Sequence, residues 1–161
     1  MKKILLFALM LPAYLFAGEW TITVNEPDEL LGTTESYTSY IYQDGDNAFG
    51  FRSDMPDHIT LFGEHVFAAQ QANGYVGQTV KIGLYDADGK LQQSMDMFLL
   101  VKDGYTSLGT NQNKYVPNPY GQTKNARKII SHLKAGGSVR FVAKTRSHGN
   151  FDLRVEPLPK E

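Results

Sequence analysis

From Trp20 onward, apolar and polar residues alternate with a period of two. In Trp20–Val24, Trp20, Ile22 and Val24 fall on one face and Thr21 and Thr23 on the other. Val80-Lys81-Ile82-Gly83-Leu84 repeats the pattern. Val139–Lys144 turns Val139, Phe141 and Ala143 one way and Arg140 and Lys144 the other, and Phe151–Val155 behaves alike. Successive strand residues face opposite sides, so these segments read as strands with one buried and one wet face. Such strands belong to antiparallel sheets. Further strands are expected at Tyr37–Tyr42, Ala48–Arg52, His58–Phe62, His65–Ala69 and Ser94–Val101. Gly77 is read as a turn before a strand at Thr79–Tyr85.

Turn chemistry separates these runs. Asp44-Gly45-Asp46-Asn47, Asp86-Ala87-Asp88-Gly89 and Ser147-His148-Gly149-Asn150 each carry hairpin signals. One segment has a different period: Ala126, Ile129, Ile130 and Leu133 lie at helical spacing. A short helix is expected near residues 124–135, with Thr123 as N-cap and Gly136-Gly137 as the stop. Its basic residues, Lys124, Arg127, Lys128 and Lys134, fall off the apolar stripe and read as a solvated face. The fold class expected is all-β: an antiparallel β-sandwich or a small β-barrel with this one short α-helix.

The first residues follow another logic. Lys2 and Lys3 precede an apolar run from Ile4 to Phe16, and Ala17 stands before Gly18-Glu19-Trp20. A basic start, a short apolar core and a small residue at the cut form a signal-peptide pattern, and a spanning helix needs about 20 apolar residues. Residues 1–17 are therefore expected to be a signal peptide and 18–161 a single β-rich domain, periplasmic or secreted. The chain has 16 Lys and Arg against 17 Asp and Glu, which lacks the concentrated basic face of nucleic-acid binding. It has no cysteine, which removes disulfides, thiol nucleophiles, thiolate metal ligands and a lipidated anchor. No stable membrane anchor is expected after cleavage.

Candidate chemistry is sparse. A serine hydrolase needs a positioned base and a sharp strand-to-helix turn, but Gly136-Gly137-Ser138 opens a strand instead. Zinc needs converging imidazoles or carboxylates; His58 and His65, with Asp57 or Glu64 nearby, form a weak candidate cluster. Calcium needs several oxygens on a tight loop, yet Asp44–Asn47 and Asp86–Gly89 are explained by turn chemistry alone. Asp54 and Asp57 are one carboxylate pair of the kind a glycosidase uses. Gly74–Thr79 lacks the lysine of a phosphate loop. No cofactor and no metal are expected.

Recognition is the remaining class. The polar stretch Lys102–Gln122 is long for a compact domain, and such loops are often functional. Tyr105, Asn111, Asn113, Tyr115 and Tyr120 within it combine flat aromatic faces with amides, and are the expected partner-binding residues. Tyr37, Tyr40, Tyr42 and Tyr85 are expected only to cover sheet faces.

The first expectation is a non-catalytic interaction module of the cell envelope that binds a protein partner, as an inhibitor, immunity-type protein or accessory subunit would. The second is a lipocalin-like binder of a small apolar ligand, motivated by Phe49, Phe51, Phe62 and Phe67. The third is a small hydrolase of envelope polymers, resting on His58, His65, Asp54 and Asp57.

The closing stretch Ile129-Ile130-Ser131-His132-Leu133-Lys134-Ala135-Gly136-Gly137-Ser138-Val139-Arg140-Phe141, with Phe151-Asp152-Leu153, resembles the helix-then-hairpin close of secreted proteins of the invasion-associated locus B type. The resemblance covers only this last helix and hairpin. Members of that family carry cysteines that this chain lacks, and no functional residue is carried over.

Overall fold

The computed structural model describes residues 18–28, 30, 32–63, 67–72, 74–102, 106–110, 122–146 and 149–160. Among these, ten strands form one antiparallel sheet with a single helix. The strands are β1 (Glu19–Asn25), β2 (Tyr37–Asp44), β3 (Asn47–Arg52), β4 (Met55–Phe62), β5 (Gln70–Ala72), β6 (Tyr75–Tyr85), β7 (Leu91–Lys102), β8 (Ser107–Gly109), β9 (Ser138–Lys144) and β10 (Asn150–Val155). The helix α1 spans Gln122–Lys134. The order across the sheet is β1-β2-β3-β4-β8-β7-β6-β9-β10, with β5 on the side of β6.

The all-β expectation holds, and of the two architectures the sheet takes the open, sandwich-like one: it does not close into a barrel. It bends so that its two ends share one core. Phe49 on β3 stacks on Phe141 of β9 at 5.2 Å between ring centroids, and Phe67 packs on Phe151 at 5.4 Å. Trp20 of β1 donates its indole N–H to the carbonyls of Glu156 and Pro157, each at 3.1 Å, beyond the end of β10. The alternating apolar residues point into this core. Tyr42, Leu61, Leu108, Leu99, Val80, Ile82, Val139 and Leu153 are all essentially inaccessible. Ala126, Ile129, Ile130 and Leu133 place the apolar stripe of α1 on the same cluster. The basic residues Lys124, Arg127, Lys128 and Lys134 face solvent.

The helix stop works as the sequence implies. Gly136 takes a left-handed φ of 93°, its N–H reaches Leu133 O at 3.2 Å, and Gly137 N–H reaches His132 O at 3.1 Å. This double bond pattern is a Schellman motif. The helix starts earlier than expected: Thr123, the expected N-cap position, lies inside its first turn.

Several strand boundaries differ from the expectation. Gly77 lies within β6, where it pairs with Leu100 and Gln70. A β-carbon at Gly77 would stand 2.3 Å from Leu99 O, so close backbone approach explains the glycine without a turn. The strand expected at His65–Ala69 is absent over its described part. Phe67 makes one isolated bridge to Thr145, and pairing resumes only at β5. Finally, the supposed loop Lys102–Gln122 contains β8, whose three residues are buried between β4 and β7.

Candidate functional site

The outer face of β2, β3 and β4 breaks the polar-outward rule. Ile41 is 41% exposed and Phe62 40% exposed, each on the strand face that alternation assigns to solvent. Between them lies Gly50, paired with Ile41 and Thr60. The missing side chain at Gly50 leaves a depression of about 190 Å³, walled by Ile41, Phe62, Met55, Thr60 and His58. A β-carbon added to Gly50 would stand 3.5 Å from Phe62 Cε2 and 3.8 Å from Ile41 Cγ1. The two apolar side chains therefore flank a floor one residue wide.

The polar wall comes from an irregular stretch of β4. Gly50 pairs with Thr60 but Arg52 with Met55, so Pro56–Ile59 arches out of register. Pro56 has no N–H to offer the ladder, and a bulge is where a strand tolerates it. The arch sets Asp57 and His58 between the depression and α1. Asp57 Oδ1 meets His58 Nδ1 at 2.6 Å, and its Oδ2 accepts from Arg127 at 3.2 Å. Partial burial pushes the Asp57 carboxyl up, but the His58 and Arg127 bonds outweigh it and hold the group below its usual range. Arg52 binds Asp54 bidentately at 2.9 and 2.6 Å, and its guanidinium lies 3.7 Å from the Tyr37 ring centroid.

These contacts give the earlier candidates specific roles. Asp54 and Asp57 each belong to an ion pair with arginine. His58 is oriented by Asp57. Ser39 lines the same depression, and its hydroxyl accepts from Asn25 at 3.0 Å. Among the described residues, no group of three His, Asp or Glu side chains is placed to hold a metal ion. Asp86 Oδ1 accepts from the N–H groups of Asp88 and Lys90, the turn chemistry expected there. His65 lies outside the described residues, as do Tyr105, Asn111, Asn113, Tyr115 and Tyr120.

The aromatic residues divide. Phe49, Phe51 and Phe67 are buried in the core, as is Tyr42, whereas Phe62 points outward because its neighbour Leu61 takes the inward position. Tyr40 stacks on Phe51 at 4.6 Å. Sequence reasoning missed Ile41, Gly50 and Phe62 as a set. The signal was available: in the alternating hairpin, two large apolar residues and a glycine occupy positions where polar residues are expected.

Other depressions are larger, and two of them lie open on the sheet face. One of about 430 Å³ lies over Gly83 and is edged by Lys81, Asp96 and Arg140. Lys81 pairs with Asp96 at 3.3 Å and Arg140 with Asp152 at 2.5 Å. The other, about 460 Å³, opens where β6 and β9 diverge. There the Gln78 amide spans the gap, donating to Lys144 O at 2.7 Å.

Comparison of the chain with protein-family models, with curated proteins and with solved structures returns no match. The resemblance of the last helix and hairpin to one secreted family therefore carries no argument, and function is argued from the geometry.

Proposed function

We propose that this chain is a non-catalytic interaction module of the cell envelope, and that the outer face of β2–β4 receives an apolar side chain of a protein partner. The observation that carries this reading is the shared exposure of Ile41 and Phe62 around the bare floor at Gly50. Aromatic residues and arginine are enriched at protein interfaces, and here the exposed Phe62 stands with Arg52, whose guanidinium lies over the Tyr37 ring. Small-molecule sites occupy roughly 300–1,000 Å³ and enclose most of the ligand. A depression of about 190 Å³ fits one side chain better than a whole ligand. The lipocalin-like alternative is less well supported, since Phe49, Phe51 and Phe67 fill the interior that a ligand would need.

The test compares the protein with its Phe62→Asp and Ile41→Asp variants as baits in cell-envelope extract. A partner retained by the unmodified protein and lost by both variants, with melting temperatures unchanged, is the expected outcome. Equal retention by all three baits would remove this face from the binding surface.

A further inference from the structure

β1 ends the sheet, and among the described residues no strand pairs with its outer edge. An exposed edge is a template for another strand, and proteins guard edges with Lys, Pro, bulges or short length. β1 carries none of these guards. It runs seven residues, Glu-Trp-Thr-Ile-Thr-Val-Asn, in unbroken register with β2. Its only charge is Glu19. Ile22 and Val24, on the side that carries Trp20, are 46% and 63% exposed.

The strand is also self-complementary about Ile22. Antiparallel pairing of two copies across a two-fold axis at Ile22 sets Trp20 opposite Val24, Thr21 opposite Thr23 and Glu19 opposite Asn25. Just outside, Glu26 faces Gly18. Aromatic residues facing β-branched ones, and threonine facing threonine, are pairs that stabilise sheets, and no like charges meet. A two-fold contact requires this kind of self-match. The opposite edge, β10, instead alternates its core residues with Asp152 and Arg154.

We infer that a second copy of this chain pairs with β1 in the register centred on Ile22, joining two sheets edge to edge into a symmetric dimer. This surface is separate from the Gly50 depression, so its test stands or falls independently.

The absence of cysteine makes the register directly testable. Ile22→Cys is expected to give a disulfide-linked dimer under mild oxidation, because directly facing strand residues bring their β-carbons within bonding range. Lys124→Cys, on the exposed face of α1, serves as the control. Sedimentation equilibrium should give twice the chain mass for the unmodified protein. Ile22→Lys and Ile22→Glu should each be monomeric, and their mixture should recover the dimer. That recovery separates lost pairing from lost folding. A monomer at every concentration, cross-linking no greater than the control, or no recovery on mixing would each overturn the inference. So would open-ended assembly, which indicates head-to-tail pairing of β1 with β10.

Discussion

Gly50 offers a way to separate binding from folding. It sits in the middle of β3, and its φ lies outside the left-handed region. An added β-carbon would meet Phe62 Cε2 and Tyr40 O at 3.5 Å and Ile41 Cγ1 at 3.8 Å, all ordinary contacts. Neither backbone conformation nor crowding of a β-carbon therefore requires glycine there. Glycine inside a strand costs about 0.5–1 kcal/mol relative to alanine, and valine suits a half-buried pleated surface. Gly50→Val should stabilise the fold by about 0.5–1 kcal/mol. In a domain of this size about 1 kcal/mol moves Tm by roughly 2–4 °C, so a rise of about 1–4 °C is expected. The same methyl groups occupy the depression of about 190 Å³. Loss of a hot-spot contact of about 2 kcal/mol should weaken partner capture more than tenfold. Differential scanning fluorimetry and quantitative capture on one protein batch measure both effects. A lower Tm would refute the packing argument. A higher Tm with undiminished capture would refute the site.

Two further outcomes follow from contacts elsewhere. A β-carbon at Gly137 would stand 2.1 Å from His132 Nε2, which bonds Tyr85 O at 2.7 Å. Gly137→Ala should cost about 2–3 kcal/mol by crowding and loss of that bond. In a His132→Ala background the same change should be nearly free, and denaturant melts of the four proteins measure the coupling. The His58 and Arg127 bonds hold the Asp57 carboxylate below the usual range of an aspartate. A depressed carboxylate stabilises the fold above the unfolded value, and that contribution disappears as pH falls through the folded one. Melting temperature should therefore drop below about pH 4, and Asp57→Asn should flatten the profile there relative to the unmodified protein.

The central strands were legible because their alternation is strict and their turns carry Gly, Asp and Asn. Phe141 and Leu153 point inward as their spacing dictates. The helix was legible from Ala126, Ile129, Ile130 and Leu133, since an amphipathic stripe leaves one register for packing. Three things were hidden. β8 is too short to show a period, and its Ser107-Leu108-Gly109 is buried by neighbours distant in sequence. Gly77 carries a turn signal that a close backbone approach overrides. Phe62 reads as core until the facing pair Phe49 and Leu61 fixes the inward parity of β4. Alternation marks Ile41, Gly50 and Phe62 one by one as breaks in the polar face, but only the pairing of three strands brings them together into a depression. The loop tyrosines and amides proposed for binding lie outside the described residues, so the outer face of β2–β4 carries the functional reading instead.

The most direct test of that reading places a photo-cross-linking phenylalanine analogue at Phe62, with a control at the exposed Gln92 of β7. After irradiation in cell-envelope extract, the account predicts one discrete protein adduct from position 62 and none from position 92. No adduct from position 62, or the same adducts from both positions, would contradict it.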